Sequence, residues 1–206
     1  MATAYYVAVS SADRTRDSVP GVSGATYSAS YTDLQTALTS EARDITASTG
    51  SDEEVFFELY PDTTHAHNNC NVGDADDGWT LSATNKIYVR PNNNEPHTGD
   101  PAKGVVVEHL RDGGGAFSPV RNEANTEIIG LVFSNPGGPD LRGNGIWRRC
   151  IAKGGDRGIF CKDNGFFVSC FAFNSNIDSK DYGGGAAYNC TVYNGQYVKE
   201  TGGNTE

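Results

Sequence analysis

Ile128-Ile129-Gly130-Leu131-Val132-Phe133-Ser134-Asn135 and Trp147-Arg148-Arg149-Cys150-Ile151-Ala152-Lys153-Gly154 align position by position with two later stretches. These are Phe167-Val168-Ser169-Cys170-Phe171-Ala172-Phe173-Asn174 and Ala187-Tyr188-Asn189-Cys190-Thr191-Val192-Tyr193-Asn194. One column reads Leu131, Cys150, Cys170, Cys190, at intervals of 19, 20 and 20 residues. Two positions on, the column is Phe133, Ala152, Ala172, Val192. Both columns are apolar, and period-two alternation places them on one face of a strand. The last column is Asn135, Gly154, Asn174, Asn194, residue types that enter the left-handed backbone region most easily. A turn that needs positive φ at one place in every repeat selects this column.

Second short strands lie between the octads, at Ile159-Phe160-Cys161 and Gln196-Tyr197-Val198. A period of this length, with glycines between strands and no amphipathic helix, excludes the helical repeats. The pattern predicts an all-β fold, a single-stranded parallel β-helix or solenoid of about 20-residue coils. Each coil stacks ~4.8 Å on the last through parallel hydrogen bonds, so that six coils span roughly 30 Å. Cys150, Cys170 and Cys190 then read as a ladder of small, soft, buried side chains. Asn135, Asn174 and Asn194 read as a ladder of turn residues.

Upstream, Tyr5–Val9 alternates bulky and small residues and reads as a first strand, followed by a polar loop from Ser10 to Ser30. A helix is expected over residues 32–43, capped by Thr32 with Gln35 three residues on, and presenting Leu34, Ala37 and Leu38 on one face. A strand is expected over 55–60 and an exposed polar loop over 62–78. Short strands follow at Trp79-Thr80-Leu81, Ile87-Tyr88-Val89 and Val105-Val106-Val107. The chain divides into an N-terminal cap region, 1–82, and the coils, 83–206, whose C-terminal end carries no cap. An uncapped end exposes strand edges, so another chain or a symmetric copy is expected to cover it.

The 206 residues carry 26 acidic and 16 basic side chains, a formal charge of -10, and Arg148-Arg149 is the sole basic doublet. Without a basic stripe, binding to nucleic acid or an anionic membrane is disfavoured, and no apolar run reaches the ~18 residues of a membrane helix. The start, Met1-Ala2-Thr3-Ala4-Tyr5-Tyr6, enters a strand pattern without the features of a secretory signal, which predicts folding in a cytoplasm. Five cysteines cannot all pair within the chain, so reduced thiols are expected.

The octad register, the Asn/Gly and Cys columns, and the opening strand, loop and Thr32-Asp33-Leu34-Gln35-Thr36-Ala37-Leu38 helix together resemble right-handed parallel β-helices of the pectate-lyase-like superfamily. The likeness is greatest to bacteriophage virion-surface and tailspike-type members. It implies right-handed coils and a capping helix. It covers nearly the whole chain but marks architecture rather than activity, because relatives include polysaccharide lyases and hydrolases as well as inert phage proteins. The Gly-Asp pair that often precedes the strand after the capping helix is replaced by Ser48-Thr49-Gly50-Ser51-Asp52-Glu53-Glu54.

No catalytic residue is assigned, because no column carries the two carboxylates that glycoside hydrolysis needs. Asp156, Asp163, Asp178 and Asp181 read as turn residues. His65-x-His67-x-x-Cys70 brings soft ligands to short spacing and is a candidate Zn²⁺ site, though without a fourth ligand. Asp74-Ala75-Asp76-Asp77-Gly78 lacks the bidentate Glu of a Ca²⁺ loop. Tyr188, Tyr193 and Arg149 are the candidate carbohydrate contacts. No cofactor is expected. The function expected is a non-enzymatic structural part of a virion, folded in the host cytoplasm: a capsid-surface decoration or knob, or a tail fibre or spike component. Its partners would be other virion proteins or copies of itself, with surface polysaccharide as a further contact. The alternatives are a polysaccharide-acting or carbohydrate-binding β-helix, and a fragment of a longer one.

Overall fold

The computed structural model describes residues 2–63, 65–67, 70–92, 97, 99–100, 102–109, 120–134, 141–154, 159–162, 165–174, 177–182, 186–195 and 197–198. Strands dominate, all pairing within the sheets is parallel, and the one helix among the described residues is Leu34–Ser40. The largest sheet has eight strands. Read from one edge, they are Ala186–Tyr188, Phe166–Val168, Ile146–Arg148, Thr126–Ile129, Ile87–Pro91, Glu53–Leu59, Thr3–Val9 and Ala29–Tyr31. A six-stranded sheet runs Thr191–Tyr193, Phe171–Phe173, Ile151–Lys153, Val132–Ser134, Val106–His109, His65–His67. Two three-stranded sheets collect the rest, one of Arg142–Gly143, Val120–Asn122 and Cys70–Val72, the other of Ile159–Lys162, Ile177–Tyr182 and Tyr197–Val198. Neighbouring strands therefore come from successive stretches of chain.

The register is the one the octads dictate. Phe133, Ala152, Ala172 and Val192 are directly paired across the six-stranded sheet, and Val107 and His65 extend the same column. In the large sheet the matching column is Val7, Phe57, Val89, Ile128, Trp147, Phe167, Ala187. Every member from Val7 to Phe167 is fully buried. Phe133 meets Trp147 edge-on at 5.5 Å between ring centroids, and Trp147 stacks on Phe167 at 5.9 Å. The core is thus a set of aligned side-chain files, each residue resting on its counterpart.

Leu34, Ala37 and Leu38 are buried as expected, but the helix is shorter than residues 32–43. Its N-cap is Asp33 rather than Thr32: the Asp33 carboxylate accepts from the Thr36 N–H at 2.8 Å. A carboxylate at this position satisfies an orphan donor of the first turn and faces the positive end of the helix dipole. At the other end the Trp79 indole N–H donates to the Leu38 carbonyl at 3.1 Å. The strand expected over 55–60 spans Glu53–Leu59.

The polar loop expected over 62–78 is a correction. It contains two strands, His65–His67 and Cys70–Val72, with His65, Cys70 and Val72 buried. Their composition is loop-like, but Val106–His109 and Val120–Asn122 offer them parallel edges. Asp178 and Asp181 likewise lie in a strand, Ile177–Tyr182, rather than in a turn. Trp79-Thr80-Leu81 forms only a single bridge, Thr80 to Asp44.

Gly154, Asn174 and Asn194 have φ of 79°, 49° and 52°, so the expected turn column is left-handed at each described member, while Asn135 lies outside the described residues. The Asn194 amide also donates to the Asn174 side-chain oxygen at 2.8 Å. Asn174→Ala should therefore cost about 1–3 kcal/mol, from the left-handed penalty plus the lost amide bond. Asn174→Gly, free of the first cost, should lose about 1 kcal/mol or less. Urea unfolding of both variants checks the order.

Candidate functional site

Each octad has a second left-handed corner, which the sequence reading did not single out. Gly130, Arg149, Ser169 and Asn189 have φ of 67°, 49°, 54° and 51°. They follow the large-sheet strands directly, and two residues after each the chain enters the six-stranded sheet. The corners still carry the ladder. The Arg149 N–H donates to the Val168 carbonyl at 3.0 Å, and the Ser169 N–H to the Tyr188 carbonyl at 2.9 Å. The residue after each corner is Leu131, Cys150, Cys170 or Cys190, and the first three are buried. The signal was present in the sequence as a Gly/Asn pair bracketing the column, but Arg149 and Ser169 masked it.

The three cysteines that follow the corners stand in one file. Cys150, Cys170 and Cys190 are free thiols. Each lies within hydrogen-bonding reach of carbonyls, such as Ile128 for Cys150 (3.5 Å), Trp147 for Cys170 (3.6 Å) and Phe167 for Cys190 (3.5 Å). The Cys150 thiol and burial raise the pKa of Cys170, and Cys170 and burial raise that of Cys190. Raised in this way, the Cys170 and Cys190 thiols are poor nucleophiles.

The metal candidates are spread over two sheets. His65 is in the six-stranded sheet and Cys70 in a three-stranded one, and the His67 side chain lies outside the described residues. His65 fills a core column over Val107, and its Nε2–H donates to the Tyr60 carbonyl at 2.8 Å. Its Nδ1 is buried without a partner. Burial lowers its pKa and outweighs the Tyr60 bond, so the imidazole is neutral. Burial likewise raises the pKa of Cys70. Among the described residues no three His, Cys, Asp or Glu side chains are grouped so as to hold a metal ion.

The structure does not gather the carbohydrate candidates at one place. Tyr188 (54% exposed) ends a large-sheet strand and Tyr193 (58% exposed) ends a six-stranded-sheet strand, with corner Asn189 following Tyr188. Tyr188 is near-parallel to Phe166 at 6.4 Å, and Tyr193 to Phe173 at 5.2 Å. Arg149 lies two repeats away along the corner column, roughly 10 Å at the strand spacing.

Sequence reasoning missed a buried charge network on the opposite, outer face of the large sheet. Glu58 is fully buried and accepts from Tyr27 Oη at 2.6 Å and from Arg90 Nε at 3.0 Å. Tyr60 donates to the Tyr27 hydroxyl at 2.9 Å, and burial with the Glu58 bond drives the Tyr27 pKa far up. Val19 and Tyr27, from the loop after the first strand, cover Tyr6 and Ala8. Arg14 pins that loop to Asp62 at 2.7 Å. Burial raises the Asp62 pKa, but the Arg14 and Ser10 bonds outweigh it and hold the carboxyl below its ordinary range. Contacts spanning about thirty residues have no local sequence signal.

A cavity of about 790 Å³ flanks the corner column, lined among others by Arg90, Asn92, Ile129, Arg149, Ser169 and Phe171. His97 also lines it, its Nε2–H bonded to the Arg149 carbonyl and its Nδ1 accepting from the Gly99 N–H at 2.8 Å. No helix among the described residues is long and apolar enough to cross a membrane.

Comparison with models of protein families, with curated proteins and with solved structures finds no match. The geometry alone bears on function.

A pH test follows from His65. Its folded pKa lies below the unfolded value of about 6.5, so the unfolded chain takes the proton first and stability falls as pH drops below that value. His65→Leu should flatten the pH dependence of urea midpoints between pH 7 and 5. An unchanged slope would show that other groups set it.

Proposed function

We propose that the chain is a right-handed, single-stranded parallel β-helix of the pectate-lyase-like kind and serves as a non-enzymatic structural module of a virion. Its place would be a capsid-surface decoration or knob, or a tail fibre or spike. Other virion proteins or symmetric copies of itself would be its partners.

The observation that carries this reading is the unbroken register of the large sheet, in which Val7 and Ala187 belong to one file of paired residues. A stack of parallel ladders is stiff along its axis, because bending it must distort many hydrogen bonds at once. The use of the described acidic side chains points the same way. Glu58 is bound by Arg90, Glu53 by Arg43, Glu54 by Tyr88 and Glu127 by Arg148, while Asp33 caps the helix and Asp44 binds Thr46 and Thr49. Groups spent on architecture are not placed for acid-base chemistry. The acidic net charge, -10, suits a solvated surface rather than contact with nucleic acid.

The test is location. Antibody raised against the purified chain should label intact virus particles by immunogold microscopy. Label confined to the secreted fraction of uninfected cells would sink the virion reading.

A second reading, glycan contact, is favoured by the paired aromatic rings Phe166–Tyr188 and Phe173–Tyr193, whose faces suit the apolar side of a sugar. On a glycan array the wild-type chain should retain a polysaccharide ligand that Tyr188→Ala and Tyr193→Ala lose by tenfold or more. Equal retention by wild type and variants would remove these rings from any such site.

A further inference from the structure

The corner cavity has a composition that the structural role does not account for. Pro91, Ile129, Ile151 and Phe171 give it apolar walls, and Arg149 is the exposed cation beside them. The neighbouring arginines are neutralised: Arg90 is bound to buried Glu58 at 2.5 Å and Arg148 to Glu127. Arg149 has no ion-pair partner among the described residues. Its backbone is also the wrong one for its residue type. At φ 49° it occupies a left-handed corner that the same column fills elsewhere with the smaller Gly130, Ser169 and Asn189. A large side chain held in that region costs about 1–2 kcal/mol, and such strain gathers where a side chain is needed for something other than folding.

We propose that this cavity is a binding site for a carboxylate carried on an apolar body, with the Arg149 guanidinium taking the anion and the half-buried Ile129 and Phe171 taking the body. A volume near 790 Å³ is ample for a small ligand of this kind. A charge-assisted bond from a planar guanidinium matches a carboxylate. A sugar's hydroxyls would find partners at Asn92, His97 and Ser169, but those turned towards Pro91, Ile129 and Phe171 would lose their water without gaining any. The site is separate from the aromatic pairs at Tyr188 and Tyr193, neither of which lines it. Its ligand chemistry is shared by a free carboxylic acid and by the C-terminus of a peptide ending in an apolar residue.

Calorimetry on the full chain with phenylacetate, phenylacetamide, glucuronate and a tripeptide ending in phenylalanine tests the assignment. Phenylacetate should bind with Kd of about 0.1–1 mM, at least tenfold tighter than its neutral amide or glucuronate. The tripeptide binding tenfold tighter than phenylacetate would name a protein C-terminus as the source, and weaker binding a free acid. Arg149→Asn should weaken phenylacetate tenfold or more while leaving the melting temperature equal or higher, since Asn tolerates the corner. Equal affinity for the amide, tighter binding of glucuronate, no saturable binding of phenylacetate, or a destabilised Arg149→Asn would each overturn the proposal.

Discussion

Parallel register is the constraint on which the rest of this structure depends. In a parallel ladder every residue stands beside its counterpart from the next stretch of chain, so a side chain's neighbours are fixed by sequence interval. Slipping by one residue would turn Phe133, Ala152 and Ala172 outward together and bring polar positions such as Lys153 into the core. The left-handed corners of the octads, at each described position, hold that register. They turn the chain between sheets without interrupting the bonds, because the corner N–H groups of Arg149, Ser169 and Asn174 still donate to the next repeat.

The same geometry explains why polar residues are tolerated deep in the fold. The Cys150–Cys170–Cys190 file places thiols against backbone carbonyls that the ladder already positions. His65 sits in an apolar file and survives there as a neutral ring bonded to the Tyr60 carbonyl. Glu58 is accommodated on the outer face because Arg90 and Tyr27 both donate to its carboxylate, and the loop carrying Tyr27 closes over the sheet. A buried pair of this kind adds little net stability but is costly to break on one side only. It therefore specifies where the N-terminal loop docks more than how strongly.

Against this background the corner cavity is unusual. Most of the described charged side chains near the sheet faces have a partner, and the corner residues are mostly of types suited to positive φ. Arg149 departs on both counts, and it does so beside apolar walls. The aromatic pairs at Tyr188 and Tyr193 differ in kind, since they continue the stacking of Phe166 and Phe173 outward into solvent.

The later half of the molecule was legible in the sequence because its repeat is local and its columns differ in chemistry. Bulky and small apolar residues, cysteines and Asn/Gly positions each recur about every 20 residues, which leaves one register open. The N-terminal helix was legible too, apart from its cap, where Thr32 and Asp33 are both good candidates and only the backbone chooses between them. What the sequence could not disclose depends on distant partners. The strands at His65–His67 and Cys70–Val72 are polar in composition and become strands because a parallel edge lies beside each. The Glu58 network joins residues about thirty apart, and the cavity exists only where Arg90, Arg149 and Phe171, from three different repeats, are brought to one corner. Sequence alone determined the interval, and with it the register; the tertiary structure decided which polar groups that register buries, because burial depends on what packs opposite rather than on what stands next in the chain.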